Sequence, residues 1–142
     1  MARVKIDLPS KFIFQTEIPI RITDLNYNDH LGNDAILSLI HEARVRFFKS
    51  MNYSELDVEG VGIIMIDSAI RYKSEGFYGD VLLIELAIDD ITSTGFDFKY
   101  RLTNKESRNV VAVAKTGIAF FDYDSRKVVP IPDKFVQKIK NM

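Results

Sequence analysis

Thr23-Asp24-Leu25-Asn26-Tyr27-Asn28-Asp29-His30-Leu31-Gly32-Asn33-Asp34 separates two apolar patterns of different period, and that change of period decides the fold. Upstream, Phe12, Phe14, Ile18, Ile20 and Ile22 share one parity, while Lys11, Gln15, Glu17 and Arg21 take the other. Alternation with period two predicts a half-buried strand over 12–22. Pro19 removes a donor, which places this strand at an edge or on a bulge. Downstream, Ile36, Leu39, Ile40, Ala43, Phe47 and Phe48 recur at three- and four-residue spacing. Leu37 and Met51 widen that stripe, so the spacing predicts a helix largely wrapped by other structure. Asn33 or Asp34 is the expected cap of its first turn.

Residues 52–60 read as a polar loop or short helix, and four strand signals follow. The first is β-rich, spans 61–73 and ends at Arg71 and Lys73. After a turn at Gly76-Phe77-Tyr78-Gly79-Asp80, residues 81–88 form a nearly continuous apolar run, expected to be a central strand. Phe96, Phe98, Tyr100 and Leu102 then alternate with Asp97, Lys99 and Arg101. A polar hairpin loop at 104–109 leads into a long strand over 110–121, with Lys115 and Thr116 mid-run. Pro130 and Pro132 are expected to stop that strand, and Asp133 to cap a short helix over 134–140. Strand, helix and four consecutive strands make an α+β class with an antiparallel sheet. One helix against a curved sheet satisfies the pattern, and the open sheet edges predict self-association.

The 142 residues fit one domain over 1–142, with 46% hydrophobic and 27% charged residues and a formal net charge of −1. That balance provides no global field for nucleic acid, and no run is long and apolar enough for a membrane span. The clusters Arg44/Arg46/Lys49 and Lys134/Lys138/Lys140 read as solvated helix faces, or as a local patch for the phosphates of a cofactor. With no cysteine, disulfides, thiolate nucleophiles and thiolate metal sites are excluded. The lack of cysteine and of a visible signal peptide fits a cytoplasmic location. His30 and His41 are the only imidazoles. Ten Phe either line a tunnel or, as ordinary apolar content, fill the core.

Asp24, Asn26, Asn28, Asp29, His30, Asn33 and Asp34 form the densest polar stretch, and it lies between two strongly apolar elements. Turns and caps explain Asn, Asp and Gly for backbone reasons alone, but turns do not require histidine. A site here would face the free N–H groups and positive dipole end of a buried helix. Such donors stabilise a carbonyl oxygen that gains negative charge. A nearby carboxylate or imidazole can activate water, whereas Asn can orient but cannot take a proton.

The stretch resembles the motif Asp-x-Asp-x-x-Gly-His-x-Asn-Asn of the hotdog-fold acyl-CoA and acyl-carrier-protein thioesterases, the group that includes 4-hydroxybenzoyl-CoA thioesterase. The helix run His41-Glu42-Ala43-Arg44, the downstream Tyr72, the turn Tyr78-Gly79-Asp80 and Pro130-Ile131-Pro132 are similar to that family's pattern, from about 12 to 135. The resemblance implies a hotdog fold, with an antiparallel sheet wrapped around a long central helix. It implies hydrolysis of an acyl thioester to a free acid and a thiol, in a homodimer or homotetramer. No metal or redox cofactor is implied; CoA or the phosphopantetheine of a carrier protein enters as part of the substrate.

By the same resemblance the family's first aspartate falls on Asp24. The usual catalytic carboxylate falls on Asn26, a departure, because an amide is neither base nor nucleophile. A functional Asn and His of the plant acyl-carrier-protein branch fall on Asn28 and His30, and the carbonyl-polarising N–H falls near Asn33. His30 is the first expectation for the base, since imidazole titrates near neutrality. Asp24 is the second, or else it orients His30 or fixes the turn. Asp29 is expected to be exposed. Glu42 is a helix carboxylate of the kind some hotdog enzymes use, or else an ion-pair partner of Arg46 or Arg44. His41 is expected on the helix surface or at an interface. Arg71 and Lys73 are candidates for the cofactor's phosphates, or solubility charges at a strand end. Three alternatives stay open, the first two marked by Asn26 in place of the carboxylate. These are a non-hydrolytic acyl-thioester binding or sensing module, a dehydratase-like hotdog protein using His30 with Glu42, and a structural dimerisation domain.

Overall fold

A computed structural model describes residues 2–142. Six strands, β1 (Phe14–Pro19), β2 (Gly62–Tyr72), β3 (Val81–Asp89), β4 (Gly95–Asn104), β5 (Val110–Asp122) and β6 (Lys127–Val128), form one sheet. Two α-helices, α1 (Ala35–Ser50) and α2 (Asp133–Lys140), complete the order. Every pairing is antiparallel, in the order β1-β3-β4-β5-β2, with β6 added to β5. The class is α+β and the fold is the expected hotdog arrangement, with α1 against the sheet.

The apolar stripe of α1 explains its position. Ile36, Leu39, Ile40, Ala43, Phe47 and Phe48 are buried. Phe47 and Phe48 each meet the Phe98 ring edge-on at 5.7 Å, and Phe47 also meets Phe14 at 5.6 Å. T-shaped contacts of this kind add roughly 0.5–1.5 kcal/mol each beyond area burial. Phe96 stacks on Phe135 of α2 at 5.6 Å, which closes the other end of the core. Six of the ten Phe are buried here, so the aromatic inventory is chiefly core.

Several expectations need correction. The first strand ends at Pro19, because the chain enters a short 3-10 turn over Ile22–Asp24 that Asp24 closes; Ile22 is consequently 69% exposed. Leu37 is exposed and does not widen the buried stripe. Neither Asn33 nor Asp34 caps α1 with its side chain, and Asp133 is the first residue of α2, not its cap. The long strand ends at Asp122, ahead of either proline. A turn whose N–H groups at Asp124 and Ser125 bond Asp122 Oδ1 leads into β6. Arg44 is buried, not solvated. Its guanidinium donates to the Tyr100 hydroxyl at 3.2 Å and lies 3.5 Å from Glu55 of the 51–61 loop. Burial raises the Tyr100 phenol above its ordinary value despite the opposing Arg44 charge.

The other sheet face carries Asp97, Lys99 and Arg101, partly covered by the N-terminal segment. Lys99 Nζ donates to the Asp7 carbonyl at 2.9 Å, and the Arg101 guanidinium stacks over Phe12 at 4.6 Å. A bulge between Met65 and Asp67 swings Asp67 toward Gly117, whose N–H it accepts at 3.0 Å. A Cβ at 117 would fall 2.4 Å from Asp67 Oδ1, so glycine is required for that approach. Hydrogen bonding to the Lys115 ammonium, with the Gly117 N–H, holds the Asp67 carboxyl below its ordinary 3.8. A lowered folded-state value stabilises the protein above the unfolded value and is lost as pH falls through the folded one. Asp67→Asn is therefore expected to flatten the fall of Tm below about pH 4, measured by thermal melts from pH 7 to pH 2. The side chain is 56% exposed, which keeps the effect small.

Among the described residues, no helix is long and apolar enough to cross a membrane.

Candidate active site

The polar segment between β1 and α1 folds as a small closed hairpin. Asn26 and His30 exchange a backbone bond at 2.8 Å, Leu25 bridges Leu31, and the Gly32 N–H returns to the Asp24 carbonyl at 2.9 Å. Asp29 sits at its tip with φ 62°, in the left-handed region where Asp is tolerated better than most side chains. It is exposed, as expected. Asp24 is 4% exposed and spends its carboxylate on Arg21, accepting the backbone N–H at 2.8 Å and the guanidinium at 3.2 Å. It fixes the turn and does not touch His30.

A second loop locks onto this hairpin. The Leu31 N–H donates to the Gly76 carbonyl at 2.7 Å, and His30 bridges Phe77, whose ring stands edge-on to the imidazole at 6.5 Å. Gly76 permits the approach: a Cβ there would meet Ile20 Cδ1 at 2.7 Å and Leu31 Cβ at 3.3 Å. Gly76→Ala is expected to cost about 1–3 kcal/mol in urea unfolding, because the buried Ile20 side chain must shift and Leu31 give way to accommodate it. Tyr72 completes the junction, its hydroxyl donating to the Asn33 carbonyl at 3.2 Å.

These contacts border an open pocket of about 410 Å³ lined by Asn26, His30, Leu31, Asn33, Tyr72, Lys73, Ser74 and Glu75. The N–H groups of Asn33 and Asp34, at the start of α1, donate to no acceptor among the described residues. Asn26 accepts the Asn28 N–H on its side-chain oxygen at 2.9 Å and turns its amide nitrogen toward His30 Nδ1 at 3.5 Å. Asn28 itself is exposed and contributes its backbone.

Of the residues singled out from sequence, Asn26, His30, Asn33 and Lys73 therefore converge. Glu42 does not line this pocket. It is exposed and pairs with Arg46 at 2.8 Å, which also binds Thr16 at 2.8 Å and the Glu17 carbonyl at 3.0 Å. Arg71 lies in a separate groove with Arg3 and Val4. Sequence reading missed Ser74 and Glu75, because a polar turn after a strand gives no signal of facing another loop.

A larger cavity, about 620 Å³, lies elsewhere, beside the C-terminal half of α1, and is walled by His41, Val45, Tyr53, Leu56 and Tyr123. Its polar groups face one another: His41 Nε2 approaches Glu55 Oε1 to 2.9 Å. The alignment is poor, which leaves Glu55 Oε1 and Arg44 Nε without a hydrogen bond. This cavity has no helix N-terminus to stabilise an oxyanion, so the smaller pocket is the better fit to acyl chemistry. Among the described residues, no group of three or more His, Asp or Glu is placed to hold a metal ion.

The thioesterase-like superfamily model matches residues 20–139, and the chain belongs to that family. A protein of Aquifex aeolicus (strain VF5) named "Putative esterase" is 25% identical over 132 residues, covering 92% of this chain and 98% of the relative. The 1,4-dihydroxy-2-naphthoyl-CoA thioesterase Slr0204 from Synechocystis superposes with a TM-score of 0.82 at 22% identity, covering 91% of this chain and 96% of that one. A thioesterase-superfamily structure from Jannaschia sp. CCS1 superposes with a TM-score of 0.81 at 15% identity, covering 92% and 83%. Membership of this family supports thioesterase or esterase chemistry in general.

Proposed function

We propose that the protein hydrolyses acyl thioesters, with CoA or a carrier protein's phosphopantetheine as the thiol half of the substrate. The observation that carries this reading is the pocket at the start of α1, which His30 and Asn33 both line and where the Asn33 N–H donates to no acceptor among the described residues. A thioester carbonyl seated there gains hydrogen bonds as it acquires negative charge. Lys73 lines the same pocket and suits a phosphate or other anionic part of the carrier; Arg71 would reach it only from the adjoining groove. The chemistry needs no metal or redox cofactor.

Purified protein incubated with acyl-CoA esters from acetyl to palmitoyl, benzoyl-CoA and acyl-carrier proteins is expected to release thiol, read by colour with a thiol reagent. Asn26 in the family's carboxylate position favours one competing reading, a non-hydrolytic binding module. Binding without turnover across the whole panel would select it. The dehydratase-like alternative is disfavoured, because Glu42 is engaged by Arg46 outside the His30 pocket.

We also infer that two copies associate along β2. That strand has a free edge, and Met65 and Ile66 on it lie across a groove from Leu37 of α1, all exposed. Light scattering is expected to give at least twice the 16.3 kDa chain mass; a monomer would contradict this.

A further inference from the structure

The proposed reaction needs an acceptor for a water proton, and the residue types in the pocket divide the labour in a way the sequence did not suggest. We propose, resting on the thioesterase reading above, that Glu75 is the general base and that His30 is a hydrogen-bond donor, held in its Nε2–H tautomer by Asn26. The Asn28 N–H can only donate, so the Asn26 atom it meets at 2.9 Å is the oxygen. The other amide atom, 3.5 Å from His30 Nδ1, is then the nitrogen, which also only donates. Nδ1 must present its lone pair, and the ring proton of the neutral imidazole resides on Nε2. In that state His30 offers the pocket a donor, and its one lone pair is already turned to Asn26.

Glu75 is the one carboxylate among the pocket's lining residues. Tyr72 is committed to the Asn33 carbonyl, and Lys73 is a cation. Among the described residues Glu75 makes no ion pair or side-chain hydrogen bond, unlike Asp24 and Glu42. Its backbone is fixed relative to the imidazole by the bond between Leu31 and Gly76 and by the bridge between His30 and Phe77.

The step balances without a co-reactant. Glu75 takes one proton from water as the water oxygen bonds to the thioester carbon. The carbonyl electron pair moves onto oxygen, which accepts from His30 Nε2–H and from the N–H groups at the start of α1. The pair returns, the C–S bond breaks, and the proton on Glu75 passes to the departing sulfur. Acid and thiol leave, and the carboxylate is restored.

The test uses the full chain and the thioester panel. Glu75→Gln is expected to lower kcat about 10²–10⁴-fold with little change in KM. Glu75→Asp is expected to recover part of the rate. Because Glu75 is exposed, both variants should melt like the parent. Nitrogen NMR of the ring-labelled parent is expected to place the His30 proton on Nε2, and Asn26→Leu, which removes this positioning residue, to mix the tautomers. Parent turnover with undiminished kcat in Glu75→Gln would overturn the base assignment alone. A proton on Nδ1 would overturn the donor assignment alone. No turnover by the parent on any thioester would overturn the thioesterase reading and this assignment with it.

Discussion

Arg44→Ala is expected to destabilise the fold by about 3 kcal/mol, because it removes the cation of a buried pair. The guanidinium is buried between Glu55 and Tyr100, and Tyr100 in turn reaches the Thr116 hydroxyl at 2.7 Å. Truncation leaves the Glu55 carboxylate without its cation and opens a cavity under α1. Glu55 keeps 23% of its side-chain exposure and can be partly rehydrated, which places the loss at the lower end of the range for breaking a buried pair. Urea unfolding measures it directly, and Tm should drop by roughly 10 °C. Glu42→Ala, two residues away, is the control: its exposed pair with Arg46 is worth at most about 0.5 kcal/mol. Equal losses in the two variants would contradict the burial of Arg44. The double variant Arg44→Met with Glu55→Gln should recover part of the loss, since it removes both charges together.

His30→Ala is expected to lower kcat about 10²–10³-fold, the effect of removing one preorganised oxyanion donor. The reasoning is positional. His30 is fixed by its backbone bond to Asn26, by its bridge to Phe77 and by the edge of the Phe77 ring. A donor held this way gains strength only as the carbonyl oxygen becomes an oxyanion, so KM should move far less than kcat. Steady-state kinetics on the best substrate of the thioester panel checks both parameters. An unchanged kcat would remove His30 from the chemistry, and a raised KM alone would make it a binding residue. His30→Gln, which retains a donor, should lose less than His30→Ala.

Local periodicity made the scaffold legible. The switch from period two before Asp24 to period 3.6 after Asp34 located β1, the site loop and α1, because each buried face imposes its own repeat on the chain. The same logic failed where tertiary partners override a local pattern. Ile22 keeps the strand parity, but Asp24 has already turned the chain, so it faces solvent. Arg44 looked like part of a solvated basic cluster, because its compensating groups come from the 51–61 loop and from β4. Within the candidate site, His30, Asn26 and Asn33 stand out in the sequence because histidine and amides are dense in one short segment. Glu42 reads in the sequence either as a catalytic helix carboxylate or as an ion-pair partner of Arg46 or Arg44, and the bond from Arg46, one turn further along α1, decides for the pair. Glu75 was invisible for the opposite reason. An isolated Glu in a polar turn is ordinary, and its place in the same pocket as His30 depends on a loop contact distant in sequence, the bond between Leu31 and Gly76.

The most direct test of the site is a structure of the full chain with a non-hydrolysable ketone analogue of an acyl-CoA. The ketone oxygen is expected within about 3 Å of His30 Nε2 or of the Asn33 or Asp34 N–H, with Glu75 facing the carbon that would be attacked. An analogue seated instead in the apolar cavity beside His41 and Tyr123, with the His30 pocket empty, would contradict the account.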